Sequence, residues 1–451
     1  MTDKHIGIVG LGYVGLPLAI SFTEAGLQVT GVDTSPSRVE TLTNGRSPID
    51  DIEDARLRAA LNSGLQIRLN DPAQLRPCDV IIVCVPTPIS RSKDPDLTPV
   101  ISAAESVQAA LRPGHLVILQ STTFPGTTNG PFRMELERSG LVAGRDFDLA
   151  FAPERVNPGD PASSGRKVPR LVGGTTPEAT QRAKLVFEHI NATVVPLSSP
   201  DTAELAKLLE NVFRNVNIAL VNQLALLCER MNIDVWEVID AAATKPFGFM
   251  PFRPGPGVGG HCIPVDPYYL AWRAREFDFV DRFIELAGDI NLAMPRHVVD
   301  LAAQALNEVS LALRGARVGV VGVAFKPNVQ DARNTPASDV IALLLDRGAI
   351  VTYHDPYVPE VRDAKGGVHQ SVGLDSLLNE SQLIVVVTAH ACLDWEAIYE
   401  HAKLVLDTCN SSRGRARASH RVLRLGAGWA GTRPAETAPS LPTSSESPRH
   451  F

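Results

Sequence analysis

Residues 5 to 33 read HIGIVGLGYVGLPLAISFTEAGLQVTGVD, and little else in the 451 residues constrains the fold as much. Ile6, Ile8 and Val9 read as a strand, residues 16 to 25 are apolar at helical spacing, and 29 to 32 read as a second strand ending at Asp33. Strand, glycine turn, helix and strand form a crossover unit, which commits the two strands to a parallel sheet. Gly10, Gly12 and Gly15 stand at G-x-G-x-x-G spacing around Leu11, Tyr13 and Val14. Such glycines let backbone approach a pyrophosphate at a helix N-terminus, where free amides and the helix dipole favour negative charge. Asp33 is placed to accept from both hydroxyls of an adenosine ribose. It would repel a 2′-phosphate, which favours NAD over NADP, while Arg38 close by keeps the phosphorylated cofactor open. VPTP (85–88) and QSTTFPGTT (120–128) follow strand runs at 80–86 and 116–122. They fall at carboxyl ends, where open sheets bind ligands, so Pro86, Thr87, Ser121 and Thr122 join the cofactor set.

From about Asp201 the pattern changes to helical period, continuing at 234–243 and across 276–313. Two long helices there need something to pack against, and a second copy of the chain is the natural candidate. ARVGVVGVAFKP (316–327) then starts a second strand–loop–helix series with strand runs near 350, 385 and 405. It has no glycine triplet, but Lys326 and Arg333 lie in the loop before its first helix, two cations suited to phosphates. The expected division is 1–197, 198–313 and 314–425, with a tail at 426–451. That tail is rich in Pro, Ser, Ala and Thr without apolar periodicity, and is expected to be disordered.

The formal charge of −7 points away from nucleic acid and anionic membranes. No run approaches the roughly 20 apolar residues of a spanning helix, and the residues before the first strand lead to the expectation of no signal peptide. The six cysteines are scattered without a CxxC pair, so neither a disulfide framework nor a metal site is expected. A reducing cytoplasm is the expected location.

One stretch asks for more than a turn: GPGVGGHCIPVD, 255–266, sets Cys262 behind four glycines and four residues before Asp266. A buried structural thiol is one reading. The other is a nucleophile, since glycines admit a ligand and a nearby cation can stabilise a thiolate. With a dinucleotide site and a phosphate-suited second half, the combination suggests oxidation through a covalent thiohemiacetal.

The chain resembles the UDP-glucose/GDP-mannose dehydrogenase family from about residue 5 to 412. The resemblance rests on GLGYVGLP, VCVPTP, STTFPGTT, APERVNPG, ELAKLLENVFRNVN, GPGVGGHCIPVDPYYL and GVAFKPNVQDARNTP, in that order. It implies an α/β fold of two Rossmann-like doubly wound parallel-sheet domains joined by an all-helical dimerisation domain. It also implies four-electron oxidation of a nucleotide sugar at C6 with two NAD+, and a homodimer or larger homo-oligomer. Carried onto this chain, Cys262 is the nucleophile. Lys207 would stabilise the C6 oxyanion, and Asn211 would hold the same oxygen or a water. Asp266 would position or deprotonate that water. Glu154 would activate the hydrolytic water, with Thr122 helping to bind it. Arg155, Val156, Arg214, Phe249, Arg253, Gly259 and Lys326 complete the implied substrate set, and Arg333 belongs with the cofactor. PERVNPG and GGHCIPVDP look like the members that oxidise UDP-N-acetylhexosamines, and IPVDPYYL most like the UDP-N-acetylglucosamine enzymes. UDP-N-acetylmannosamine and UDP-glucose remain alternatives, as does a silent nucleotide-sugar sensor. Where the family usually ends its last strand with an arginine, this chain has DTCN with Cys409; either Arg413 substitutes or substrate binding has changed.

Overall fold

The computed structural model describes residues 5–49, 52–90, 92–155, 168–191, 193–412 and 421–430. The N-terminal sheet has eight strands: β1 His5–Val9, β2 Gln28–Asp33, β3 Gln66–Leu69, β4 Val80–Val83, β5 Leu116–Leu119, β6 Asp148–Phe151, β7 Arg170–Gly174 and β8 Val194–Leu197. Their order is β3-β2-β1-β4-β5-β6-β7-β8. All neighbours are parallel except β6 and β7. The inner strands β4 and β5 are buried along their whole length, because helices cover both faces. The strand order reverses between β1 and β4, and their carboxyl ends open the crevice in which ligands of such sheets bind. β7 and β8 are short and carry Gly or Pro, so they escape a reading based on apolar runs.

Ser199 caps the next helix, Pro200–Met231, by accepting from the Thr202 amide at 3.2 Å; Asn232 ends it in the left-handed region. Its inward face is unusual. Glu204, Lys207, Asn211, Asn215 and Asn222 are all buried on it, where an ordinary helix would be apolar. The expected helix over 276–313 forms as Arg282–Glu308 and lies along this one. Asn291 donates to Asn215 Oδ1 at 2.9 Å and accepts from Asn222 Nδ2 at 2.9 Å. This polar seam sets the register of the helix pair, since sliding would orphan buried amides.

The C-terminal unit holds β9 Arg317–Val321, β10 Ile350–His354, the hairpin β11 Glu360–Arg362 with β12 Val368–Gln370, then β13 Leu383–Val386, β14 Val405–Asp407, β15 Val422–Arg424 and β16 Gly428–Trp429. Its main sheet runs β10-β9-β13-β14-β15-β16, with only the last pair antiparallel. The expected tail at 426–451 therefore needs correcting at its start. Residues 426–430 close the sheet and dock on the central helices: Trp236 Nε1 donates to the Leu425 carbonyl, and the Gly426 amide to Glu229 Oε1. Two short strands joined by glycines leave no periodicity to read; tertiary contact makes them. Residues 431–451 lie outside the described residues. No helix among the described residues is long and apolar enough to cross a membrane.

Candidate active site

The glycine loop after β1 is shaped by close approach. Gly10 has φ +92°, and a Cβ there would stand 2.5 Å from the Cys84 carbonyl oxygen. A Cβ on Gly15 would stand 1.9 Å from the Gly10 carbonyl oxygen, so the helix can start there only on glycine. At Gly12 a Cβ would meet nothing within 4 Å. Packing thus explains two of the glycines; the third faces open space, as a backbone that must admit a pyrophosphate does. Leu11 is buried beneath the loop, and its amide donates to Asp33 Oδ2 at 2.9 Å. The Ser35 amide donates to Asp33 Oδ1 at 2.9 Å, and Arg38 Nη1 to Oδ2 at 3.1 Å. Arg38 is thus engaged by the carboxylate that would read a ribose.

Gly10, Gly12, Asp33, Ser35 and Arg38 line a cleft of about 1110 Å³, while Leu11 and Gly15 are buried and do not line it. Its walls include Gly10, Gly12, Tyr13, Val14, Asp33 and Arg38, then Pro86, Thr87, Ser121 and Thr122, then Glu154, Lys207, Cys262 and Asp266, with Arg333 across from them. The loops are tied in place. Ser121 Oγ accepts from the Val85 amide and donates to the Val85 carbonyl, joining the β4 and β5 ends. Glu204 accepts from the amides of Gly126 and Thr128 and from the Thr128 hydroxyl, at 2.7, 2.9 and 2.6 Å. Burial nonetheless pushes its pKa up to about 7.

Solvent reaches Cys262 through the cleft. The walls around its sulfur and the neighbouring Asp266 carboxylate push the thiol up to about 11, while Lys207 and Arg214 pull it down. Asp266 begins the helix Asp266–Arg275 and accepts from Asn211 Nδ2 at 2.6 Å. Burial raises its pKa to about 6 against the opposing effects of Lys207 and Asn211. Glu154 Oε2 accepts from Gln120 at 3.0 Å and from Arg170 at 2.9 Å. The arrangement offers a protonated thiol, an ammonium, a carboxylate that titrates near neutrality, and a second carboxylate held by an arginine.

Not every expected residue reaches the cleft. Arg155 is tied to Glu210 at 2.5 Å and to the Pro169 carbonyl at 2.6 Å, on the other side of Glu154. Arg253 pairs with Asp240, and Phe249 is exposed on the loop leading to it. Gly259 packs beneath the thiol loop, where a Cβ would strike Phe325 and Pro336 at 2.9 Å. Lys326 lies 5.5 Å from the Phe325 ring. Val156 and Arg413 fall outside the described residues. Cys409 Sγ donates to the Val387 carbonyl at 2.9 Å, so this side chain turns into the sheet end. Sequence reasoning missed Asn70, Lys93, Gln120, Tyr268 and Asn291, which also line the cleft. They stand in segments of ordinary composition, and no spacing marks them.

A glycine turn at the switch point, an aspartate at the end of the next strand, and a thiol and a lysine on the same cleft are the features of an NAD-dependent oxidoreductase. The chain matches the UDP-glucose/GDP-mannose dehydrogenase family in three consecutive parts: its NAD binding domain at 4–191, its central domain at 201–293 and its UDP binding domain at 319–413. It is 40% identical to the UDP-N-acetyl-D-glucosamine 6-dehydrogenase of Pseudomonas aeruginosa, over 79% of this chain and 84% of that one. The solved UDP-D-ManNAc dehydrogenase of Pyrococcus horikoshii superposes with a TM-score of 0.85 at 33% identity, covering 94% of this chain and 99% of that one. A UDP-glucose dehydrogenase from Pyrobaculum islandicum gives 0.82 at 30% identity, covering 95% and 98%. The chain belongs to the UDP-glucose/GDP-mannose dehydrogenase family.

Proposed function

We propose that this protein oxidises the C6 hydroxyl of a UDP-N-acetylhexosamine, UDP-N-acetylglucosamine first among them, to the carboxylate through a thioester on Cys262. The convergence of Cys262, Lys207 and Asp266 with the glycine loop on one cleft carries the reading. NAD+ would take the hydride in each of the two oxidations, held at Gly12 and by Asp33. The thiol is protonated at neutral pH, so it must lose its proton as it adds to the aldehyde. Lys207 stabilises the alkoxide that forms, and loss of the second hydride leaves a thioester. Water then cleaves that bond, returning the thiol and releasing the acid. Asp266, with a pKa of about 6, is the better base for these proton transfers. Glu154, bound by Arg170 and Gln120, is suited to orienting the water together with Thr122. Arg214 stands outside the cleft lining, and its charge joins that of Lys207 in pulling the Cys262 thiol down. The reaction belongs in a reducing cytoplasm, where Cys262 stays a thiol.

The choice of sugar rests on PERVNPG and GGHCIPVDP and on the 40% identity to a UDP-N-acetyl-D-glucosamine 6-dehydrogenase. The UDP-D-ManNAc dehydrogenase, with its TM-score of 0.85, supports the C2 epimer as a second reading. We also infer a homodimer or larger homo-oligomer through the central helices. Leu209, Phe213, Leu220, Leu227 and Met231 recur along one helix at spacings of four and seven and are all exposed.

The test is NADH formation with a panel of UDP-sugars by the natural protein and by Cys262→Ala. Two NADH per uronic acid are expected with the true substrate, and a loss of several orders of magnitude in the variant. Near-normal uronic acid from Cys262→Ala overturns the mechanism. Binding of both ligands without any NADH would leave a sensor instead.

A further inference from the structure

The glycines before Cys262 lay that loop flush against the C-terminal domain. A Cβ on Gly260, whose φ is +93°, would stand 3.0 Å from the Phe325 ring; one on Gly257 would stand 3.3 Å from Pro336. Asn334 Nδ2 donates to the Gly260 carbonyl at 3.3 Å. Onto this contact the loop adds one charged tether. His261, the residue before the thiol, has Nε2 2.7 Å from Asp331 Oδ2. Asp331 is itself held by Arg333, which donates from Nε at 3.0 Å and from Nη2 at 2.8 Å. The Arg333 guanidinium sits 4.5 Å from the centre of the Tyr13 ring, in the glycine loop of the N-terminal domain. Tyr13 and His261 are ring neighbours at 6.2 Å, and His261 and Phe325 at 6.1 Å. Segments from all three parts of the chain therefore meet one residue from Cys262.

We propose that His261 and Asp331 form an interdomain latch that positions Cys262, with Arg333 and Tyr13 extending it to the cofactor's glycine loop. His261 is a positioning residue: it acts through the backbone that carries the thiol. The inference rests on Cys262 being the reactive thiol. The physical reason is economy of constraint. The helix that follows starts only at Asp266, and glycines leave the preceding loop conformationally free. Without a tether the sulfur would sample positions away from Lys207, and a displacement of about 1 Å at a reacting centre lowers rate by roughly a hundredfold. Asp331 is suited to the task. Burial works against its charge, but the hydrogen bonds from His261 and Arg333 hold the carboxyl well below the usual range. It therefore stays an acceptor.

Two substitutions at His261 separate the hydrogen bond from the ring. His261→Phe keeps the ring contacts with Tyr13 and Phe325 and removes the donor, while His261→Gln removes the ring and keeps a donor at similar reach. Alkylation of Cys262 by iodoacetamide is followed peptide by peptide in the protein without ligands, with exposed Cys392 as internal reference. The latch requires His261→Phe to alkylate several-fold faster at Cys262, with kcat lower by about tenfold or more and KM for NAD+ little changed. His261→Gln must recover most of both. Asp331→Leu must reproduce the faster alkylation and lower kcat of His261→Phe, and the double variant must be no worse than Asp331→Leu alone. Equal behaviour of the Phe and Gln variants, or additive effects in the double variant, overturns the latch. Full oxidation by Cys262→Ala would defeat the thiol mechanism instead, while alkylation rates would still report whether the loop is tethered.

Discussion

The two sheets turn the same corner and use it differently. After β1, Gly10 passes beneath the end of β4, and its amide donates to the Val32 carbonyl at 2.8 Å. After β9, Gly322 does the same beneath the end of β13, donating to the His354 carbonyl at 2.9 Å. A Cβ on Gly322 would stand 2.1 Å from the Thr388 carbonyl oxygen, matching Gly10 and Cys84. At the carboxyl end of each second strand an aspartate is aimed back at the turn. Asp33 accepts from two amides and Arg38 and lines the cleft. Asp355 accepts from the amides of Val323, Ala324, Tyr357 and Val358, and lies 3.0 Å from His390 Nε2. The Asn328 amide donates to His390 Nδ1, which leaves Nε2 as the protonated nitrogen. One carboxylate keeps capacity for a ligand; the other is saturated by its own domain. A shared topology therefore does not give two dinucleotide sites.

Loss of Asp355 should separate the two aspartates most sharply. Asp355→Ala strands four amides and an imidazole N–H in a buried site. It should destabilise the chain by about 4 kcal/mol or more in urea unfolding. NAD+ affinity of the folded fraction should not change. If Asp355→Ala kept full stability and lost NAD+ binding, the two aspartates would have exchanged roles.

Asp266 supplies a third kind of buried carboxylate, neither saturated nor cofactor-facing. Its folded pKa of about 6 lies above the ordinary aspartate value of 3.8, so the native state holds the proton more tightly. The stabilisation this gives is complete below about pH 4 and is lost as pH rises through about 6. Asp266→Asn should therefore raise stability above pH 6, by up to roughly 3 kcal/mol, while abolishing turnover. In the natural protein, activity should fall as pH drops below about 6. Asp355 has the opposite sign: hydrogen bonds from His390 and four amides outweigh burial and hold it low, so its contribution is lost on acidification. A destabilised Asp266→Asn at pH 8 would refute the assignment.

Asp33→Ala should act on binding more than on folding, because two of its three partners, Ser35 and Arg38, border the open cleft. A lost hydrogen bond to a charged group is worth about 1.5–3 kcal/mol, which weakens NAD+ by roughly ten- to a hundredfold. Calorimetric titration checks it, and unchanged affinity would place the ribose elsewhere. Arg38→Ala should do least. Its ion pair with Asp33 is half exposed, and such pairs contribute about 0–1 kcal/mol. A change in NAD+ affinity beyond about fivefold would mean that Arg38 touches the cofactor directly.

The amino-acid sequence alone determined the local events of this fold. A strand, three glycines, a helix and Asp33 are a short-range pattern, and the packing that demands Gly10 and Gly15 lies within or beside that unit. The long helical period across 201–233 was legible because it repeats, and Lys207 and Asn211 one turn apart follow from it. Cys262 stood out because four glycines precede it. Tertiary structure decided what depends on long-range partners. Arg155 looked like a substrate ligand until Glu210 and the Pro169 carbonyl engaged it. Asp355 looked like nothing, since five donors from three segments give it its character. The strands β15 and β16 exist because the central helices receive them, and His261 meets Asp331 across 70 residues of chain. Periodicity and spacing encode which face a residue takes; they carry no information about which distant backbone group will be waiting there, because that is set by how the sheets and helices pack.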